Sequence, residues 1–358
     1  LGSMRHTKRK MQGQRGKIRE RTPMNTGMRF DGGAGNRMEI GHGGTEYYHL
    51  PGLFEFYELY RLFLPLFREH REYFYDWCEI GSIYGAPADC IWGGGRTGSG
   101  EQSAGEVLAL LREYGISARL TFSNSLLREE HLSDRKCNAL CALFEKSGGV
   151  RNGVILHSDL LLDHLKKHYP GLYFVSSTTK VLTEFRQLRQ ELDREEFRFV
   201  VPDFRLNTAA AELAGLTDRQ KDKVELLCNE CCWPGCTDRR RCYENVSRRN
   251  LGEICPEHHC AAPDAQEGYR FSKAMESPCF IGTEEIQTRW MPMGFSNFKI
   301  EGRGLGRMFM KARMMLRKAV ISQNECQSHC DGNRLPMAPK PPSDLAPSDE
   351  KRYFMSPT

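Results

Sequence analysis

Long apolar runs are missing from this chain. None approaches the roughly 18 uninterrupted apolar residues that a membrane-spanning helix requires, so no membrane partner is expected. No apolar stretch near the N-terminus has the form of a secretory signal, which makes a cytoplasmic location the expectation. Several catalytic signatures are missing too. There is no Gly-x-Ser-x-Gly elbow and no His-Glu-x-x-His helix. The Cys-x3-Cys-x2-Cys triplet of radical S-adenosylmethionine chemistry is absent as well. The glycines of Gly93-Gly94-Gly95-Arg96-Thr97-Gly98 fit neither the dinucleotide nor the P-loop spacing, and no Gly-Lys-Ser/Thr follows.

What is present suffices for a real core. The 358 residues are 39% hydrophobic and 10% aromatic, enough for one large α/β domain with appendages or for two ordinary domains. The net charge of +5 is unevenly spread, with eight Lys or Arg residues between Arg5 and Arg21 against the single acid Glu20. Together with the glycines of 32–35 and 41–44, this predicts a flexible basic and Gly-rich arm over residues 1–50, attracted to any polyanion. At the other end, a basic helix with interleaved methionines is expected over 306–330. A Pro-rich disordered tail is expected over 331–358.

Between these ends the pattern alternates. Apolar residues at helical spacing from Leu53 to Phe67 predict a core-packing helix. Short strand patterns follow at Glu79–Tyr84, Cys90–Trp92, Ile116–Phe122, Gly153–Leu156, Leu172–Ser176, Phe197–Val201, Val224–Cys228 and Asn297–Glu301. Helical patterns fall between most of them, with Gly115 and Gly148-Gly149 as stop signals. Repeated strand–helix units predict a parallel sheet with right-handed crossovers. Five or more such units favour a TIM-like (β/α) barrel over residues 51–305, with function at the C-terminal ends of its strands. An open doubly wound sheet is the alternative.

Cysteine is the most informative residue. Eight of the fourteen cysteines lie between Cys228 and Cys279. In a reducing compartment such clusters are metal ligands or redox thiols rather than disulfides. Cys232 and Cys236 can meet one centre across the turn Trp233-Pro234-Gly235, with Cys242 a helical turn or two further on. Spacing alone leaves zinc and an iron–sulfur cluster both open. Cys255 and Cys260, flanking His258-His259, can equally form a separate zinc site.

The segment Cys228-Asn229-Glu230-Cys231-Cys232-Trp233-Pro234-Gly235-Cys236-Thr237-Asp238-Arg239 resembles the Asn-Glu-Gly-Cys-x3-Cys-Pro-x-Arg-x2-His signature. That signature belongs to a branch of the U32, or collagenase-like peptidase, family. Phe298-Lys299-Ile300-Glu301-Gly302-Arg303 is similar to that family's Phe-Lys-Ile-x-Gly-Arg ending, and Tyr84-Gly85 to an early segment. The resemblance spans roughly residues 79–305. It departs at Cys231, where the family has Gly, and at Cys242, where it has His. It implies a TIM-like barrel and a [4Fe-4S] cluster held by Cys232, Cys236, Cys242 and Cys279, with zinc as the alternative. Family members of this kind support oxygen-independent hydroxylation of RNA bases or of a quinone precursor.

The expected function is therefore iron–sulfur-dependent hydroxylation or another atom transfer on an RNA, peptide or small-molecule substrate, with an electron donor or partner protein. Glu230, Arg239, Lys299 and Arg303 form the expected catalytic set. Asn124, Ser176, Asn207 and Asn229 are expected to orient substrate. Two other functions compete with this one: a zinc-stabilised RNA- or protein-binding module, and a U32-type peptidase.

Overall fold

The computed structural model describes residues 44–94, 102–255, 258–267 and 272–302. Eight strands form one sheet in the spatial order β6-β5-β4-β3-β2-β1-β8-β7. They are β1 (Glu46–Pro51), β2 (Cys78–Gly85), β3 (Ser117–Phe122), β4 (Gly153–Leu156), β5 (Tyr173–Ser176), β6 (Phe197–Val200), β7 (Glu225–Leu227) and β8 (Asn297–Lys299). Every pairing is parallel. A parallel bridge between Val200 and Val224 joins the two outer strands of that order. The sheet thus closes on itself as a TIM-like barrel, and an open doubly wound sheet is ruled out.

Helices connect the strands: α1 (Tyr57–Glu69), α2 (Ala104–Glu113), α3 (Arg135–Lys146), α4 (Asp159–His168), α5 (Phe185–Leu192), α6 (Ala210–Ala214), α7 (Asp218–Lys223) and α8 (Arg239–Asn250). Their starts are written in the sequence. Asp134 caps α3 by accepting from the Cys137 N–H at 2.8 Å, and Ser158 caps α4 through the Leu161 N–H at 3.3 Å. The stop signals also act as read, since Gly115 and Gly148 take φ of 66° and 69° after α2 and α3. Helix α1 buries Tyr60, Phe63, Leu64 and Phe67 on one stripe, as its spacing predicts. No helix among the described residues is long and apolar enough to cross a membrane.

Two boundaries differ from the sequence reading. Glu46–Pro51 is the first barrel strand, pairing with both β2 and β8, so the arm read over 1–50 gives way to the barrel before Glu46. Its inward residue is the polar His49, which hides the alternation expected of a strand. Cys90–Trp92, read as a strand, is a buried turn closed by the Gly93 N–H on the Cys90 carbonyl. Apolar side chains there serve packing without a ladder. Between β5 and α5 the chain makes a short 3₁₀ turn at Thr178–Lys180. Residues 306–358, and nearly all of the arm, lie outside the described residues.

Candidate active site

Strand alternation decides what faces the lumen. On β3 the inward residues are Ser117, Arg119, Thr121 and, just past the strand, Ser123. Deep in the barrel Arg119 Nη1 donates to Glu225 Oε2, while Lys299 Nζ donates to Glu225 Oε1 at 2.7 Å. Arg119 Nε also donates to the Tyr173 hydroxyl at 2.7 Å. His49 completes this layer, with Nδ1 2.8 Å from Ser82 Oγ and Nε2 3.2 Å from Asn297 Oδ1. Burial, reinforced by Arg119, lowers the His49 pKa to about 3, so the imidazole is neutral at pH 7. Burial alone would push the Glu225 carboxyl up. Arg119 and Lys299 outweigh it and hold that carboxyl well below its usual range.

Above the charged layer lies an apolar one of Tyr84, Ile155, Val175, Phe199, Val201 and Leu227. Its Tyr84, Ile155, Val201 and Leu227 line a cavity of about 530 Å³, counting its opening to solvent. Thr121, Ser123, Ser177, Thr178, Thr179, Glu230, Tyr243, Lys299 and Glu301 supply the polar lining. All come from the C-terminal ends of strands or from α8, the side on which barrel enzymes carry their sites. Lys299 Nζ stands 3.7 Å from the centre of the Tyr84 ring.

Helix α8 roofs this mouth and is pinned on several sides. Asn124 Nδ2 donates to the Ser247 carbonyl at 3.1 Å, and the Ser125 N–H donates to Ser247 Oγ at 3.1 Å. Asn250 Nδ2 donates to the Gly93 carbonyl at 2.6 Å. The neighbouring Gly94 has no room for a side chain, since a Cβ would lie 2.2 Å from the Ser123 carbonyl oxygen. This close approach gives the described part of the Gly93–Gly98 stretch a packing role. At the start of α8, the buried Arg239 guanidinium sits over the Phe204 and Tyr243 rings at 4.8 and 5.2 Å. Its Nη2 donates to Glu230 Oε2 at 2.7 Å, and its Nε lies 3.4 Å from Asp203 Oδ2. Burial disfavours the charge, but Glu230 and Asp203 more than offset that and keep Arg239 protonated.

Of the expected catalytic set, the structure brings Glu230, Arg239 and Lys299 to the mouth. Arg303 lies outside the described residues. Glu230 is locked in place, with Oε1 accepting from the backbone N–H groups of Cys231 and Cys232, both at 3.0 Å. The expected substrate residues mostly tie backbone together. Asn229 exchanges two hydrogen bonds with the backbone of Glu301, at 3.0 and 2.7 Å. Asn207 Nδ2 donates to the carbonyls of Leu227 and Cys279 at 2.9 and 2.8 Å. Asn124 anchors α8. Ser176, expected on the substrate side, donates to Glu191 Oε1 at 2.6 Å, because alternation turns it outward and puts Ser177 on the cavity instead.

Of the four expected metal-binding cysteines, the structure brings Cys232 and Cys279 together. Cys279 belongs to the apolar layer, and Cys232 packs against it. Cys236 is buried, and its carbonyl accepts from Arg205 Nη1 at 2.7 Å. Burial raises the Cys279 thiol pKa. Cys242, in the first turn of α8, places Sγ 2.8 Å from His258 Nε2, which is itself 3.5 Å from Asp238 Oδ2. Cys255 is partly buried and Cys260 exposed. Among the described residues no three His, Cys, Asp or Glu side chains are arranged to hold a metal ion. In kind, the all-thiol set of Cys232, Cys236 and Cys279 fits an iron–sulfur cluster. Cys242 is turned toward donors that zinc prefers.

No family model matches the chain, and no curated protein does. Among solved structures, the U32 peptidase Mk0906 is similar at 13% identity and a TM-score of 0.47. That alignment covers 73% of this chain and 93% of the other. The barrel assignment rests on the strand pairing described above.

Proposed function

We propose that this chain is an enzyme working at the barrel mouth. Cys232, Cys236 and Cys279, with Cys242 from α8, would hold a [4Fe-4S] cluster that supports oxygen-independent hydroxylation or another atom transfer. The substrate would be an RNA, a peptide or a small molecule. One observation carries this reading: Cys279, with Cys232 packed against the same cluster, belongs to the apolar layer whose Tyr84, Ile155, Val201 and Leu227 line a cavity furnished with Lys299, Glu230 and several hydroxyls. When bound, a cluster of this kind supplies one-electron chemistry. The chain's own part is to orient and enclose. Lys299 offers a cation held in place by Glu225, the Glu230–Arg239 pair fixes the rim, and α8 narrows access of water to the mouth.

The contact of Cys242 with His258, beside Asp238, favours a second reading in which zinc stabilises the rim of a binding module. Arg240, Arg241 and Arg249 on the exposed face of α8 suit a polyanionic partner for such a module. Anaerobic purification with iron, sulfide and zinc analysis separates the two. About four irons and matching sulfide per chain, both lost in Cys232→Ala and Cys236→Ala, supports the cluster. Zinc in place of iron, retained in those variants and lost in Cys242→Ala and His258→Ala, supports the module.

A further inference from the structure

The mouth cavity holds hydroxyl groups for which the fold itself has no use. Thr121 and Ser123 are 4% and 1% exposed and both line the cavity, yet neither Oγ meets a hydrogen-bond partner. A buried hydroxyl left in that state costs on the order of 1–3 kcal/mol, and native proteins satisfy nearly all such groups. The two follow Arg119 at two-residue steps along β3, so they face the same side about 6.7 Å apart along the strand.

Across Ile155 stands a third hydroxyl, and its direction is set. Ser177 Oγ accepts from the Thr179 N–H at 3.2 Å and from Thr179 Oγ1 at 3.0 Å. A serine hydroxyl has two acceptor positions and one hydrogen, so the Ser177 hydrogen is left for the cavity that Ser177 lines. Having donated to Ser177, Thr179 must accept from His157 Nδ1, 3.0 Å away. Burial, with Lys180 and Arg240 nearby, lowers the His157 pKa to about 4, which makes it a neutral Nδ1–H donor at pH 7. The series from His157 through Thr179 to Ser177 thus directs every hydrogen toward the cavity. Lys299 adds a cation to the same lining, the Glu230 carboxylate is already met by three donors, and Glu301 stands at the rim.

We propose that Thr121, Ser123, Ser177 and Lys299 form a subsite for an oxyanion, a carboxylate or phosphate carried by a small molecule, whose apolar remainder lies against Ile155, Val201 and Leu227. A charged group with several acceptor oxygens answers convergent donors better than a neutral carbonyl does. The inference rests on the reading that the mouth is the ligand site.

The test uses the full chain with labelled Ile, Leu and Val methyl groups. It is titrated with benzoate, with its neutral counterpart benzamide, and with inorganic phosphate. Benzoate or phosphate, or both, should shift the methyls of Ile155, Val201 and Leu227, and at least one should bind about tenfold more tightly than benzamide. Whichever anion binds identifies the group. Ser123→Ala, Ser177→Ala and Thr121→Val should each weaken that anion about tenfold, while Thr121→Ser, which keeps the hydroxyl and folds alike, should retain it. Wall shifts with benzamide matching or exceeding both anions would overturn the oxyanion class and leave the mouth standing as the ligand site. Wall shifts from none of the three would overturn the inference and the reading of the mouth together.

Discussion

Replacing Glu225 by Gln removes the only carboxylate of the deep charged layer while barely changing its volume. In the native barrel that carboxylate accepts one hydrogen bond from Arg119 and another from Lys299 at 2.7 Å, with Glu225 itself fully buried. Charge-assisted hydrogen bonds contribute about 1.5–3 kcal/mol each. Breaking a buried ion pair from one side costs about 3–5 kcal/mol, because the remaining charges stay buried. Both routes give about 4 kcal/mol. For a domain of this size that is a fall in Tm of about 8–16 °C, read by calorimetry or by circular dichroism. The pH dependence adds a second check. The Glu225 carboxyl is held far below its ordinary value of 4.5, so its stabilisation is fully present above that value and is lost only as pH falls well below it. The difference between wild type and Glu225→Gln should therefore be the same at pH 5.5 and pH 8. Removing all three charges together, as Glu225→Leu with Arg119→Met and Lys299→Met, should recover much of the loss. A Tm for Glu225→Gln within about 2 °C of wild type would refute the view that this layer is an interdependent buried network.

Two further outcomes follow from buried positions elsewhere in the barrel. Glu46 is buried with Oε2 lacking a partner, and burial raises its pKa from 4.5 to about 7. The fold therefore favours its neutral form, an advantage complete below 4.5 and lost as pH rises through 7, so Glu46→Gln should stabilise by up to about 3 kcal/mol at pH 8.5 and by almost nothing at pH 4.5. Urea unfolding at the two pH values checks this, and an equal gain at both would sink it. A Cβ on Gly153 would lie 2.5 Å from the Tyr173 ring, whose hydroxyl holds Arg119. Gly153→Ala should thus cost about 1–3 kcal/mol. In a Tyr173→Leu background the same change should cost far less, and an equal cost there would show that the ring is not the obstacle.

The barrel was legible because parallel strands between helices leave a local trace. Ser and Asp caps, glycine stops and a single amphipathic stripe per helix each depend on neighbours a few residues away. β1 left no such trace. Its inward His49 is made acceptable by Ser82 and Asn297, and a polar lumen residue reads as loop until those partners are in place. The strand β8 pairs with β1 across 250 residues of sequence, and no local pattern encodes that meeting.

The site divides in the same way. The resemblance to short family motifs singled out Glu230, Arg239 and Lys299, and the fold brings these three to the barrel mouth. Cysteine density drew attention to Cys232 and Cys236, and Cys279 was expected beside them only through the resemblance. The sequence reading missed Thr121 and Ser123, although the alternation Ser117-Ala118-Arg119-Leu120-Thr121-Phe122-Ser123 is a visible polar stripe on one strand face. What that stripe faces depends on closure. The same period-two pattern on an open sheet would point at solvent, where hydroxyls are satisfied by water and carry no information. Only the closed barrel buries them over a cavity, and only its register turns Ser177 inward and Ser176 out. Composition and spacing determined which side chains this chain has to offer and which strands and helices carry them. The tertiary structure decided which groups share a space, because burial and hydrogen-bond satisfaction are properties of neighbours far apart in sequence.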